Sequence, residues 1–399
     1  MISGRDIIII SSIEWGFIWQ GHQEIALRFA RAGNRVLYIE NTGVRSPGIK
    51  DLNRITSRLK RWWKAIRSSG IREVEKNLFV CSPIVLPPFG SRFRRFLNRK
   101  FFLSTIKHIE QKLNIQDPLI WTYLPTDTAH ELIKILRSEK SKVVYYVVAD
   151  FEHLVENLDR LKECEQKVIE SSDAIFTICT TLTNRYARFH NNTHTLPFGV
   201  DFDAFQIIEK ESEINRRTLH WLSKLEEMRR PVIGYVGGLH RHVDFDLLAK
   251  SAKAKPEWSW VFIGPSQANM SELDELPNVH FLGQQPHEEL VHFLQRFDVC
   301  IVPYLNNDFT ATVVPVKLNE YLAVGKPVVS TNIPVVCEFN DKHNVIQTCE
   351  NTPKGFLAAI EKSLNANDDE STVEHRKQVA SLSEWQKRIE AMCEVITKD

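Results

Sequence analysis

Short apolar runs recur along this chain, each followed by a stretch of helical periodicity, and that alternation limits the fold more than any other feature. Asp6–Ser11 is a nearly unbroken apolar run, as a strand buried on both faces requires. Residues 21–32 then show helical spacing and end at Gly33, a suitable C-cap, before the next run at 35–39. The pattern predicts further strands at 78–81, 119–123, 143–148 and 174–179, with helices near 92–113, 126–138, 154–171 and 181–189. Around 198–230 it stops and charge rises. A second series begins at Pro231, with strands near 259–263, 279–282, 298–302, 327–330 and 344–347. Helices are expected between them near 244–254, 287–295, 315–324 and 353–364, and a last amphipathic helix over 373–396. Alternation of this kind gives parallel sheets covered on both faces. The expectation is an α/β chain of two Rossmann-like domains, 1–200 and 231–372, joined by a connection at 201–230 and closed by a C-terminal helix at 373–399. In such folds ligands bind beyond the carboxyl ends of the strands, so the parallel sheets are expected to face an interdomain cleft.

The length of 399 residues suits two domains, and 43% hydrophobic with 25% charged residues excludes a disordered or multi-span chain. The seven cysteines are widely spaced without a C-x-x-C pair, which reads as buried thiols in a reducing compartment. The start carries no basic region followed by a long apolar stretch, and no apolar run reaches about 18 residues. Both point to a cytoplasmic protein. A net charge of +1 is not that of a nucleic-acid binder. It conceals an asymmetry, however: residues 50–112 hold 16 Lys and Arg against four acids. Arg54–Arg67 mixes bases with two tryptophans, and Arg92–Phe102 mixes bases with phenylalanines. This combination suits an anionic membrane surface, and would place the protein peripherally at the inner face of the cell membrane. A solvated basic helix with inward aromatics is the plainer alternative.

The densest motif lies at 310–329. Pro315 fits the first turn of a helix. The amides of Thr312, Val313 and Val314 are then expected at its N-terminus, where anions bind. Lys317, Glu320 and Tyr321 fall at i, i+3 and i+4 and so share a face. A carboxylate there can accept from a ribose diol while the amides hold phosphate. An ordinary amphipathic helix with an outward Glu has the same spacing.

Pro315-x-Lys317-x-x-Glu320-Tyr-Leu-Ala-x-Gly325-Lys-Pro-Val-Val resembles the nucleotide-binding signature of GT-B glycosyltransferases, most of all the bacterial family that builds capsule, lipopolysaccharide and exopolysaccharide chains. Trp19–Ala30 resembles that family's first helix, and Leu196–Asp201 its Pro-x-Gly-Val-Asp turn. Tyr235–His240 resembles its glycine loop, and Phe281–Gly283 with Pro286–Leu290 its nucleobase-side loop. The resemblance implies that Glu320 binds the ribose of a nucleotide sugar. It also implies that Gly237, Gly238, His240 and Arg241, with the amides before Pro315, hold the diphosphate, and that Gly283 lies beside the base. It implies a metal-independent reaction with no cofactor besides the donor, UDP rather than GDP, and a glycan or lipid-linked acceptor. Retaining members carry Glu-x7-Glu; here the first position is Thr312, so the carboxylate that contacts the donor sugar is missing. Retention and inversion therefore both stay open.

Two residues of the first domain are candidate catalytic groups. Asp150 follows a strand end, where a carboxylate can serve as base, or simply cap the next helical run. His22 stands at the start of the first helix, as a base or as an exposed histidine. The rival readings are an epimerase of the same fold and a catalytically weak subunit that binds nucleotide sugar or glycan as a scaffold.

Overall fold

The computed structural model describes residues 1–16, 19–40, 71–83, 96, 98–155, 157–206, 214–366 and 369–398. These form two compact units, one of residues 1–196 and 389–399, the other of residues 197–388.

The first unit is built on an eight-stranded sheet. Its strands are β1 (Asp6–Ser11), β2 (Arg35–Glu40), β3 (Ile71–Glu75), β4 (Leu78–Cys81), β5 (Leu119–Thr122), β6 (Lys142–Val147), β7 (Ala174–Thr177) and β8 (Thr193–Thr195). Their order is β3-β4-β2-β1-β5-β6-β7-β8. All pairs are parallel except β3–β4, a hairpin turned at Asn77 with φ of 65°. Ile7, Ile8, Ile9 and Ile10 of β1 have no solvent exposure. At roughly 1.5–3 kcal/mol for each such side chain, strands buried on both faces are the main source of stability. Strand β1 pairs with β2 on one side and β5 on the other, so the chain reverses its direction of winding between β1 and β5.

The second unit has six strands, β9 (Val232–Val236), β10 (Ser259–Ile263), β11 (Val279–Gly283), β12 (Val299–Val302), β13 (Val328–Thr331) and β14 (Gln347–Cys349). The order β11-β10-β9-β12-β13-β14 is parallel throughout. From β9 the chain winds outward through β10 to β11, then returns to β12 and winds the other way. The reversal therefore lies between β9 and β12, and at such a switch point ligands are expected beyond the carboxyl ends of the strands.

Several boundaries differ from the sequence expectation. The stretch expected to be a connection at 201–230 belongs to the second unit and includes a helix, Arg216–Glu226, whose Leu222 and Leu225 are buried. The strand expected at 344–347 begins at Gln347, because Pro334–His343 is a helix ended by Asn344 at φ of 50°. The single terminal helix is two, Glu370–Ser381 and Trp385–Thr397. Between them Ser383 accepts from Val200 N (2.8 Å), and Val200 accepts from Trp385 N (3.1 Å). A β-carbon on Gly199 would stand 2.7 Å from the Trp385 ring and 2.9 Å from the Ser383 carbonyl, so only glycine admits this crossing.

Arg54–Arg67 lies outside the described residues, as do residues 92–95 and 97 of the second cluster, in which Phe96 is exposed and Phe102 buried. Among the described residues no helix is long and apolar enough to cross a membrane.

Candidate functional site

The helix Val316–Ala323 is tied to the carboxyl end of β9 through two of its side chains. Tyr321 Oη accepts from Val236 N (2.8 Å) and donates to Val236 O (3.3 Å). One turn earlier, Lys317 Nζ donates to Tyr235 Oη (2.7 Å) and Tyr304 Oη (2.9 Å), with its charge 4.0 Å from the centre of the Tyr235 ring. Tyr235 Oη in turn donates to Gly238 O (3.0 Å), which fixes the glycine loop. The two loops leaving β9 and β12 are also joined directly. Leu305 N donates to His242 O (2.9 Å) and Asp244 N to Pro303 O (2.8 Å). The i, i+4 spacing that places Lys317 beside Tyr321 thus points the ammonium into the crevice between β9 and β12.

That ammonium has no carboxylate partner among the described residues; its contacts are two hydroxyls and two ring faces. Lysine has three N–H donors, so one is left over. Gly237 has φ of +135°, and a β-carbon there would stand 2.5 Å from Nζ. The space beside the amine exists because residue 237 lacks a side chain. The Gly237 N–H is engaged by Ile263 O (2.8 Å), whereas that of Gly238 has no acceptor among the described residues.

Glu320 lies one turn along, mostly buried, and its Oε1 accepts from His287 Nε2 at 3.2 Å. His287 comes from the loop after β11, two residues past Gln285, and its ring meets Phe205 edge-on at 5.9 Å. Gly283, at the end of β11, takes φ of +66° and starts this loop. Its carbonyl accepts from Gly264 N (2.9 Å). The spacing 317–320–321 thus divides between two neighbours: Lys317 and Tyr321 reach β9, and Glu320 reaches the loop after β11.

The amides before Pro315 are arranged differently from the expectation. Thr310–Thr312 is a short 3-10 turn, so Thr312 N donates to Phe309 O (3.4 Å) and Val313 N to Thr310 O (3.1 Å). Two of the three expected anion donors are already engaged. Pro315 is the N-cap rather than the first helical residue. The donors left at the helix start are those of Val314, Val316 and Lys317. The Thr312 hydroxyl donates to Phe309 O (3.2 Å), and the residue is buried.

The loop after β9 brings two side chains, His242 and Arg241, to Phe309, with His240 beside them. The His242 ring stacks on Phe309 at 4.2 Å and 13°, and Arg241 Cζ lies 5.9 Å from the centre of the same ring. His240 meets His242 edge-on at 4.6 Å. Burial first, then Lys317 and His242, pushes the His240 imidazole down to about 4, so it is neutral at pH 7. Sequence reasoning missed Tyr235, Tyr304, His242, His287 and Phe309. The signal for Tyr235 was present, since it opens the glycine loop; Tyr304 and Phe309 come from a loop without a motif.

The two candidate bases of the first unit have distinct surroundings. Asp150 is buried, and Arg185 grips it with two hydrogen bonds of 2.9 and 2.7 Å. It also accepts from Glu152 N (3.3 Å), capping the turn Phe151–His153. The carboxylate thus anchors two segments and caps the turn, the second of the two roles open to it in the sequence. His22 is not the exposed histidine expected at a helix start. It is 2% exposed and lies against Tyr123, ring centres 3.8 Å apart. Burial pushes its imidazole down to about 3, which leaves a feeble proton acceptor.

Comparison with known proteins places this geometry. Residues 230–366 match the family described as glycosyl transferases group 1. A Bacillus subtilis (strain 168) protein named as a teichuronic acid biosynthesis glycosyltransferase, TuaH, is 29% identical over 235 residues. That match covers 56% of this chain and 57% of the relative, so the likeness spans just over half of each. Sucrose-phosphate synthase from Thermosynechococcus elongatus superposes with a TM-score of 0.70 at 16% identity, over 98% of each chain. Anabaena Alr3699/HepE in complex with UDP and glucose superposes with a TM-score of 0.63 at 14% identity, over 98% of this chain and 99% of that one. At these identities the structural likeness establishes the fold. The chain therefore has the GT-B fold, and the match to glycosyl transferases group 1 lies within its second unit.

Proposed function

We propose that the protein is a glycosyltransferase that moves a sugar from a nucleoside-diphosphate sugar, with UDP as the nucleotide, to a hydroxyl of a cell-surface polysaccharide or lipid-linked glycan. The observation that carries this reading is the Lys317 ammonium, half-buried, held by Tyr235 and Tyr304, and lacking a carboxylate. A cation drawn out of water in this way calls for an anion, and the position beside Gly237 is open to one. In this reading the diphosphate lies against Lys317, the Gly238 amide and the amides of Val314 and Val316. Glu320, steadied by His287, accepts from the ribose diol. The base lies toward the loop that starts at Gly283. Charge developing on the leaving diphosphate is then met by an ammonium and a helix N-terminus, which is how such a site does without a metal. Support for the acceptor class comes from the polysaccharide in the name of the Bacillus relative.

Calorimetric titration with uridine, UMP and UDP tests the reading. UDP should bind more tightly than UMP, and Lys317→Met should remove about tenfold or more of that advantage while leaving uridine affinity unchanged. If neither UDP nor GDP binds, or Lys317→Met binds UDP as the native protein does, the assignment fails.

A further inference from the structure

We infer that Gln285 selects the nucleobase, its Oε1 accepting from the N3–H of uracil, and that Arg217 covers the base. This rests on the nucleotide reading above and names the residues that set base choice in the same site. The starting point is a row of bare backbone. Gly237, Gly264 and Gly283 stand at the carboxyl ends of the neighbouring strands β9, β10 and β11, with φ of +135°, +143° and +66°. Gly264 N donates to Gly283 O (2.9 Å), and a β-carbon on Gly264 would run into the Gly237 carbonyl, so the three pack backbone against backbone. Each is half-buried, which leaves a strip without side chains across two strand spacings, about 10 Å. Lys317 Nζ stands at one end of the strip, beside Gly237. At the other end Gly283 opens the loop whose His287 meets Glu320. A nucleotide with its diphosphate at Lys317 and its ribose at Glu320 therefore brings its base to Gly283.

An unfilled acceptor lies there. Gln285 is 7% exposed, and its Nε2 donates to Leu282 O (2.6 Å), which holds the amide against the residue before Gly283. A backbone carbonyl can only accept, so this bond settles which end of the amide is which. Oε1 is then a buried acceptor with no hydrogen-bond partner among the described residues. Such a group is costly to leave unmet, and so it calls for a donor. Uracil supplies one in its N3–H, whereas cytosine has a bare ring nitrogen at that position. A second side chain faces the same glycine: Arg217 Nη2 lies 3.9 Å from the point where a β-carbon on Gly283 would stand. It is held there by Glu289 of the loop, which accepts from Asn215 N (2.8 Å) and from the Thr218 hydroxyl at the start of the helix Arg216–Glu226. A planar guanidinium stacks on the face of any base. Arg217 thus contributes affinity and Gln285 selectivity.

The test is titration of the intact chain with UDP, N3-methyl-UDP, CDP and ribose 5-diphosphate. The native protein should bind UDP about tenfold or more tightly than N3-methyl-UDP or CDP. Gln285→Met, of similar volume and without the acceptor, should bind UDP and N3-methyl-UDP about equally. Arg217→Ala should weaken both ligands and keep the native ratio. Arg217 is exposed, so this variant does not depend on repacking, and neither does the comparison of ligands on the native protein. Ribose 5-diphosphate, which has no base, should bind the native protein and both variants alike. Equal binding of UDP and N3-methyl-UDP by the native protein overturns the inference and leaves the glycosyltransferase reading intact. A UDP preference retained in Gln285→Met, or UDP affinity unchanged in Arg217→Ala, does the same. No binding of UDP to the native protein overturns the two together.

Discussion

The Lys317 ammonium lies 2.5 Å from the point where a β-carbon on Gly237 would stand, so the amine and the missing side chain define one space. Gly237→Ala should therefore act twice. A non-glycine residue at φ of +135° is strained by about 1–3 kcal/mol, and the methyl must displace the amine from Tyr235 and Tyr304. UDP affinity should fall tenfold or more. Gly238→Ala is the comparison, because it keeps the amide and its β-carbon would meet only side-chain atoms, His240 Cδ2 at 3.3 Å and Gln267 Nε2 at 3.7 Å. Equal affinities for the two variants in a UDP titration would show that the space beside Lys317 is not where the diphosphate goes.

Glu320 and His287 make a second linked pair, 3.2 Å apart. Charge-assisted hydrogen bonds contribute about 1.5–3 kcal/mol, so Glu320→Ala should lower nucleotide affinity about tenfold or more with little change in thermal stability. His287→Ala should cost less, since it removes the support and leaves the carboxylate. A useful comparison is 2′-deoxy-UDP, which lacks one of the two ribose hydroxyls. It should bind the Glu320→Ala protein about as well as UDP does, while the native protein favours UDP. A preference for UDP retained in Glu320→Ala would assign the ribose to another group.

How far the sequence reveals this arrangement depends on the range of the interactions. Strand β1 was legible because four consecutive isoleucines leave little alternative to a doubly covered strand. The shared face of Lys317 and Tyr321 was legible because helical spacing is local. The Thr312 and Val313 amides were misread because the 3-10 turn that engages them is set by Thr310, whose hydroxyl donates to Leu305 O and Asn307 O. No periodicity announces such a turn. The choice between base and cap at Asp150 stayed open in the sequence for a different reason: its partner Arg185 is 35 residues away and joins it only once β6 and β7 are paired. The helix Arg216–Glu226 was missed because its charged face masks the buried Leu222 and Leu225.

The buried His22 makes the first unit sensitive to acid in a defined window. Its imidazole is pushed down to about 3 in the folded chain, against 6.5 when exposed. Above pH 6.5 both states are neutral and no pH dependence arises. As pH falls below 6.5 the unfolded chain takes up a proton that the folded one refuses, so stability declines until about pH 3. One proton gives a slope of about 1.4 kcal/mol per pH unit at most. Urea denaturation of the native protein and His22→Phe at pH 7, 6, 5 and 4 should show the two curves diverging below pH 6.5, with the variant flatter. Parallel curves would mean that the unfolded chain does not gain this proton.

The pairing of Asp150 with Arg185 bears on the stereochemical course. An inverting displacement needs a base opposite the leaving group, and such a base is worth typically 10²–10⁴-fold in rate. Asp150 is buried and gripped through both oxygens, and His22 is a poor proton acceptor, so neither sequence candidate is placed to serve. A front-face reaction, in which the leaving phosphate takes the proton, requires neither. The expected product therefore keeps the anomeric configuration of the donor. Asp150→Asn should lose less than tenfold in turnover per folded molecule. Its cost should fall on stability, about 2 kcal/mol, moderated by the partial exposure of Arg185. Arg185→Ala should destabilise by a similar amount, and the double variant should cost less than the sum of the two, as expected for residues that act on each other. The anomeric proton coupling constant of the product, with rates and denaturation midpoints for all three variants, decides the matter. An inverted product together with a rate loss of about 10² or more in Asp150→Asn, at unchanged stability, would restore the carboxylate as the base.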